Sequence, residues 1–185
     1  MHRISLRLGA TLVAAAAFAF PASALAATAE STGTITGGSL SLTTEAAPTF
    51  SATLDGTDQT PPYTLPMTVE DSTGSGSGWN TTITSTEFTS GGATPRTLAT
   101  TASSMTGVTS ECAEGTCTNP DNKITYPLTV PAGALAPTAV KFFNADAETG
   151  LGKFTVTPTV GVSIPANTYA GTYTSTVTLA SVSGP

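Results

Sequence analysis

Histidine is almost missing from this sequence of 185 residues, because its single copy, His2, lies at the extreme N-terminus. Charged residues are also scarce, at 10% of the chain. Histidine is the side chain whose ordinary pKa best suits acid–base catalysis near neutral pH. The Gly-x-Ser-x-Gly and Ser-x-x-Lys motifs of serine nucleophiles are missing as well. These absences exclude the commonest catalytic schemes and predict a binding or structural protein rather than an enzyme.

The first 26 residues have the pattern of a secretory signal peptide. Two arginines precede an apolar run at 8–20, and small residues follow at 22–27. The spacing of the alanines favours cleavage after Ala26, which leaves a mature domain of residues 27–185. The apolar run is too short and wrongly flanked for a membrane span, and no second run of spanning length follows. We therefore expect an exported protein that is secreted to the extracellular side.

The mature chain is predicted to be acidic. Loss of Arg3 and Arg7 leaves 4 basic against 12 acidic side chains, a net charge of −8. Such a surface repels nucleic acid and anionic lipid, so neither is expected as a partner.

Short runs of apolar and β-branched residues recur along the chain, separated by Gly, Pro, Asn, Asp and Ser. No helical period is sustained, so the pattern predicts an all-β fold: a single antiparallel β-sandwich domain of about 9–10 short strands. The connection at 72–78, which consists of Ser, Thr and Gly, is expected to be a mobile hairpin loop without packing contacts. The predicted strands lie at 34–35, 39–43, 49–54, 65–70, 79–88, 97–102, 124–130, 139–144, 152–157 and 172–182.

Cys112 and Cys117 are the only two cysteines. In an exported protein, this spacing predicts a disulfide that closes a small loop. A metal site would need further ligands, and the mature chain has no histidine to supply one. No cofactor is therefore expected.

Calcium is the one metal for which the sequence offers residues. Asp55 with Asp58, or Asp121 with Asn122, could supply oxygen ligands to a loose site. The alternative is that these are ordinary solvated turn residues.

Trp79 is the only tryptophan, and it follows the glycine-rich connection directly. Its flat ring is a candidate ligand contact, since such a face packs well on a sugar ring, and the alternative is a core tryptophan covered by the opposing sheet. The same two interpretations, ligand contact and core residue, apply to the four tyrosines: Tyr63, Tyr126, Tyr169 and Tyr173. A core position is favoured most strongly for Tyr173.

Two segments resemble a known family. They are Thr-Val-Glu-Asp at 68–71, with its glycine-rich connector and Trp79, and Ile-Pro-Ala-Asn-Thr-Tyr-Ala-Gly-Thr-Tyr-Thr-Ser-Thr-Val at 164–177. Both are similar to the WxL-type cell-wall-binding surface domains of Gram-positive bacteria, a resemblance that extends over 32–185. It implies a surface protein that binds peptidoglycan or an associated glycan, or other surface proteins. Residues 181–185 show no sorting motif, so the attachment is expected to be non-covalent or supplied by another protein.

The chain departs from that family in its two Trp-x-Leu motifs. The first becomes Trp79-Asn80-Thr81 and the second becomes Leu179-Ala180-Ser181, so only Trp79 matches. The segment at 164–177 is also similar to the last strand of fimbrial and spore-coat sandwich subunits. The alternative function is therefore a structural subunit of a surface polymer or multi-protein surface complex, assembled by β-strand addition.

Overall fold

A computed structural model of the protein describes residues 28–44 and 47–185. The chain divides into two compact units, Met1–Ile35 and Thr36–Pro185. Within the first unit, the described residues 28–35 are exposed and belong to no strand. The expected signal peptide at 1–26 lies outside the described residues, so export and the cleavage site remain predictions. Among the residues that are described, none forms a helix of the length and apolarity that a membrane crossing requires.

The second unit is all-β, as the sequence predicts. Its described residues form twelve strands, and four of these contain only two residues, which is why the number exceeds the expected count. The strands are β1 (Leu40–Thr43), β2 (Pro62–Thr64), β3 (Met67–Asp71), β4 (Trp79–Thr86), β5 (Thr89–Ser90), β6 (Ser103–Glu114), β7 (Leu128–Thr129), β8 (Ala132–Gly133), β9 (Val140–Ala145), β10 (Gly152–Val162), β11 (Tyr173–Thr174) and β12 (Val177–Ser183).

These strands form two main sheets and one small ribbon. The larger sheet has the order β1-β3-β10-β6-β7, with β2 also paired to β10. The smaller sheet has the order β12-β4-β8, with β9 also paired to β4, and β11 pairs with β5. Pairing is antiparallel except between β4 and β8. The antiparallel sheets pack together and enclose the apolar core.

The core lies between the central strands of the two sheets. Along β10, alternate residues point inward, so Phe154, Val156 and Val160 are fully buried. This is the period of two that a strand with one covered face requires. From the smaller sheet, Trp79 of β4 lies 5.7 Å from the ring of Phe143 and 6.5 Å from that of Phe154, measured between centroids. Trp79 therefore joins the two sheets.

The connection between β3 and β4 is held by hydrogen bonds rather than free of contacts. The hydroxyls of Thr73, Ser75 and Ser77 form a chain that continues to Ser183 of β12, with oxygen–oxygen distances of 2.8 to 3.0 Å. Gly78 has a φ of 69°, and a Cβ there would lie 2.3 Å from the carbonyl oxygen of Ala145. The expectation that this segment makes no packing contacts was wrong, because its glycines allow a close approach and its hydroxyls bond to one another.

The predicted disulfide is confirmed between Cys112, near the end of β6, and Cys117 in the loop that follows. The partly buried Cys117 packs beside Gly152 at the start of β10, where an added Cβ would meet its sulfur at 3.0 Å. The bridge thus fixes the loop against the larger sheet.

Removal of the disulfide is expected to have a modest effect. A Cys112→Ala/Cys117→Ala variant should lose about 2 kcal/mol of stability, since so short a loop restricts the unfolded chain only slightly. Urea unfolding measures the loss of stability. Reduced wild-type protein is the control, and it should unfold at the same urea concentration as the variant. A variant that fails to fold would contradict this assignment of a local role.

Candidate functional site

Trp79, the candidate ligand contact, is buried. None of its surface is exposed, and its indole nitrogen donates a hydrogen bond of 2.9 Å to the carbonyl oxygen of Gly150. Gly150 itself has a φ of 75°, and a Cβ there would lie 2.6 Å from the indole nitrogen. The structure thus places Trp79 in the core, which is the second of the two interpretations that the sequence allowed.

The two segments that correspond to the Trp-x-Leu motifs lie on neighbouring strands. Trp79 pairs with Ser183, and Thr81 pairs with Ser181, in the antiparallel ladder of β4 and β12. Thr81 is buried and its hydroxyl donates to the carbonyl oxygen of Phe143, while the amide of Asn80 donates to that of Gly184. The side chains of the first segment are therefore engaged within the fold.

The residues considered for calcium use their oxygens within the protein. Asp55 accepts hydrogen bonds from the Thr57 hydroxyl and amide, which lower the pKa of its carboxyl below the ordinary value. Asp58 accepts from the backbone N–H of Ala166. Asp121 lies 2.6 Å from the ammonium of Lys123.

Asn122 completes this set, since its side-chain oxygen accepts from the backbone N–H groups of Ile124 and Asn144. Among the described residues, no group of three or more Asp, Glu, Cys or His side chains converges as a metal site would require.

Of the four tyrosines, Tyr169 is the exposed one. Its side chain is 60% accessible, whereas Tyr63 is buried, and Tyr126 and Tyr173 are half-buried. Tyr173 donates a hydrogen bond of 2.9 Å from its hydroxyl to the carbonyl oxygen of Tyr169. The inner tyrosine therefore fixes the backbone that carries the outer one.

Tyr169 lies on one wall of a groove of about 740 Å³. This wall is formed by the segment 168–175, which we call the rim. The facing wall is formed by the segment 48–54, which we call the strap. Its floor consists of apolar side chains from three different parts of the chain: Phe88, Leu98 and Ile164. A partly apolar, aromatic-lined groove of this size is typical of ligand-binding sites.

The strap is held in place by its one aromatic side chain and by one hydrogen bond to its backbone. Phe50 packs edge-on against Phe88, with centroids 5.4 Å apart, and stacks on Tyr63 at 6.1 Å. The side-chain amide of Gln59 donates to the carbonyl oxygen of Thr53. Burial raises the pKa of Tyr63, so the ring beneath the strap stays neutral. The sequence predicted a strand at 49–54, but the strap is irregular and mostly exposed.

The rim is anchored at both ends. The backbone N–H of Thr168 donates to the carbonyl oxygen of Pro165, which closes a turn, and Tyr173 and Thr174 pair with β5 as strand β11. Both walls are held by contacts within the domain, and walls held in this way need little ordering when a ligand binds.

A second hollow, of about 410 Å³, lies on the other side of Tyr169. The two share four lining residues, Leu98, Thr168, Tyr169 and Tyr173, so the rim separates them. The guanidinium of Arg96 lies in this second hollow, with its carbon 4.0 Å from the centroid of the Tyr169 ring. Neither Arg96 nor the phenylalanines of the groove can be identified from the sequence, because the segments that bring them together are distant along the chain.

This surface can hold a ligand by packing and by hydrogen bonds. Sugar rings present faces of C–H bonds that pack on aromatic rings, and their hydroxyls bond to backbone and to Ser or Thr groups. The rim supplies both kinds of contact, with Tyr169 and Tyr173 as rings and Thr168, Thr172 and Thr174 as hydroxyl groups.

Comparison with known proteins identifies one family whose model matches the chain. The family model of the WxL domain, described as surface cell wall-binding, matches residues 11–181. This confirms the resemblance seen at 68–79 and 164–177. No curated protein and no solved structure matches the chain.

Proposed function

Because the chain belongs to the WxL family of surface cell wall-binding domains, we propose that it binds cell-wall glycan in the groove between the strap and the rim. The observation that carries this proposal is Tyr169, an aromatic side chain exposed at the wall of a groove whose floor is apolar. A ring already held in place contributes to binding without first having to be ordered.

The proposal places the protein outside the cell. Residues 1–26 would direct export and be removed after Ala26, and residues 27–185 would then hold to the wall without a covalent bond. The mature net charge of −8 limits attraction to acidic polymers at long range, so retention depends on local contacts.

The experiment that tests this function is co-sedimentation of the purified mature domain with cell-wall sacculi. We expect the domain to be retained on sacculi. Soluble glycan fragments released from the same sacculi by a muramidase should displace it. Retention that such fragments leave unchanged would contradict glycan binding, and a domain that stays in the supernatant would contradict wall binding altogether.

A second candidate function, assembly by strand addition, is favoured by the outer edge of β6. On its inner side β6 pairs with β10 along its whole length, but on its outer side β7 covers only Ser104 and Met105. Among the described residues, no strand pairs with the outer edge over 106–114. Such an edge is a template for a strand from another molecule. Glu111 and Glu114 lie on it, and charged side chains oppose pairing, so this function ranks second.

Sedimentation velocity of the mature domain tests the second function. If strand addition occurs, the sedimentation coefficient should rise with protein concentration, and Thr106→Lys, which adds a charge at an exposed edge position, should abolish the rise. A monomer at every concentration would contradict it.

A further inference from the structure

The four basic side chains of the mature domain differ in what they contact. Lys123 and Lys153 form ion pairs, at 2.6 Å from Asp121 and 2.8 Å from Glu114. Among the described residues, no carboxylate pairs with Arg96 or with Lys141. Of the two unpaired cations, Lys141 is exposed on β9, and Arg96 stands beside the groove.

Arg96 is held in position from two sides. Its backbone N–H donates to the Ser90 hydroxyl at 2.9 Å, and its carbonyl oxygen accepts from the N–H of Ser90 at 2.8 Å. Its guanidinium lies over the Tyr169 ring. An arginine stacked on an aromatic ring keeps its N–H groups free at the edge of its plane, where they can pair with a carboxylate or a phosphate.

The surrounding charge does not cancel this cation. Asp58, the carboxylate that the structure ties to the loop beside the second hollow, accepts a hydrogen bond from the backbone N–H of Ala166. Apart from Arg96, the described residues that line the second hollow are uncharged: two prolines, two threonines, two tyrosines, Leu98, Ala99 and Asn167. An oxyanion that enters it would meet an unpaired guanidinium in a largely neutral setting.

We propose that the groove recognises an anionic glycan: a sugar ring packs on the rim, while a carboxylate or phosphate group carried by the same polymer pairs with Arg96 across Tyr169. The juxtaposition of the two hollows carries this inference, because they share Tyr169 and lie within reach of one ligand. The inference rests on the proposed glycan binding, and it names the class of polymer that would be bound.

The test compares Arg96→Gln with Lys141→Gln, which removes the same charge from a site outside both hollows, in the sacculus assay. A charge-assisted hydrogen bond contributes enough that Arg96→Gln should weaken retention about tenfold. Because salt screens the attraction of the guanidinium for an anion, the advantage of wild type over Arg96→Gln should shrink as salt rises, a change that a merely structural role would not produce. Lys141→Gln should behave as wild type.

Sacculi treated with hydrofluoric acid, which removes phosphodiester-linked polymers, distinguish the two sources of the anion. A fall of wild-type retention to the Arg96→Gln level would identify phosphate, and unchanged retention with the Arg96→Gln effect preserved would identify carboxylate. Equal retention and equal salt dependence of Arg96→Gln and wild type would overturn the anionic ligand while leaving glycan binding intact. Failure of the wild type to bind any sacculi would instead overturn the proposed function itself.

Discussion

Replacement of Tyr169 by alanine is expected to release most of the domain from cell-wall sacculi. An aromatic side chain at the centre of a binding surface commonly accounts for about 2 kcal/mol or more, which corresponds to a loss of affinity of about thirtyfold. Since Tyr169 is 60% exposed, its truncation should change the unfolding midpoint little. Co-sedimentation with sacculi, together with urea unfolding of the same preparations, measures both effects.

Two matched variants sharpen this prediction. Leu135→Ala removes a side chain that is 87% exposed but lies outside the groove, so it should bind as wild type. Tyr173→Phe keeps the inner ring but removes the hydroxyl that bonds to the Tyr169 carbonyl, so it should bind with intermediate affinity. Equal retention of Tyr169→Ala and Leu135→Ala would show that the groove is not the contact surface.

Replacement of Trp79 by alanine is expected to cost about 3–5 kcal/mol of stability. The substitution empties the space between the two sheets, removes the ring contacts with Phe143 and Phe154, and leaves the carbonyl oxygen of Gly150 without its indole donor. Urea unfolding measures this loss directly.

Trp79→Phe separates a core role from a ligand contact. Phenylalanine keeps most of the ring volume but loses the bond to Gly150, so the folded variant should be less stable by about 1–3 kcal/mol and still bind sacculi. A Trp79→Phe variant that unfolds as wild type but no longer binds would contradict the buried role assigned here.

Local pattern predicted those parts of the fold in which large apolar residues alternate. The segments at 39–43 and 139–144 agree with β1 and β9 within one residue, because leucine alternates with polar residues in β1 and large apolar residues are concentrated in β9. The twelve-residue strand β6 was missed. It is mostly Ser, Thr, Glu and small residues, and its extended form follows from pairing with β10, which no local pattern reports.

For the strap, prediction from local pattern failed in the opposite way, since a strand was expected there and none forms. Its Thr-Phe-Ser-Ala-Thr-Leu sequence alternates like a strand, but it pairs with no strand and is held instead by Phe50 against Phe88 and Tyr63. Similarly, 97–102 was predicted as a strand but contributes Leu98 to the floor of the groove. The candidate site is assembled from such segments, so sequence alone could offer the tyrosines but not the groove.

The position of the disulfide also follows from the topology. Cys117 contacts the start of β10 at Gly152, and Ile164, two residues beyond the other end of that strand, lies in the groove floor. A strand of this length extends for roughly 30 Å. The covalent loop and the groove are therefore at opposite ends of the larger sheet, and loss of the disulfide should leave sacculus binding intact.

The measurement that tests the central claim most directly is a nuclear magnetic resonance titration of the isotope-labelled mature domain with soluble wall fragments released by a muramidase. We predict amide shift changes concentrated in the strap, at Ser51 to Leu54, and in the rim, at Thr168 to Ser175, with the β4–β12 ladder unaffected. Shift changes confined to the hydroxyl chain from Thr73 to Ser77, or to β12, would contradict a binding site in the groove.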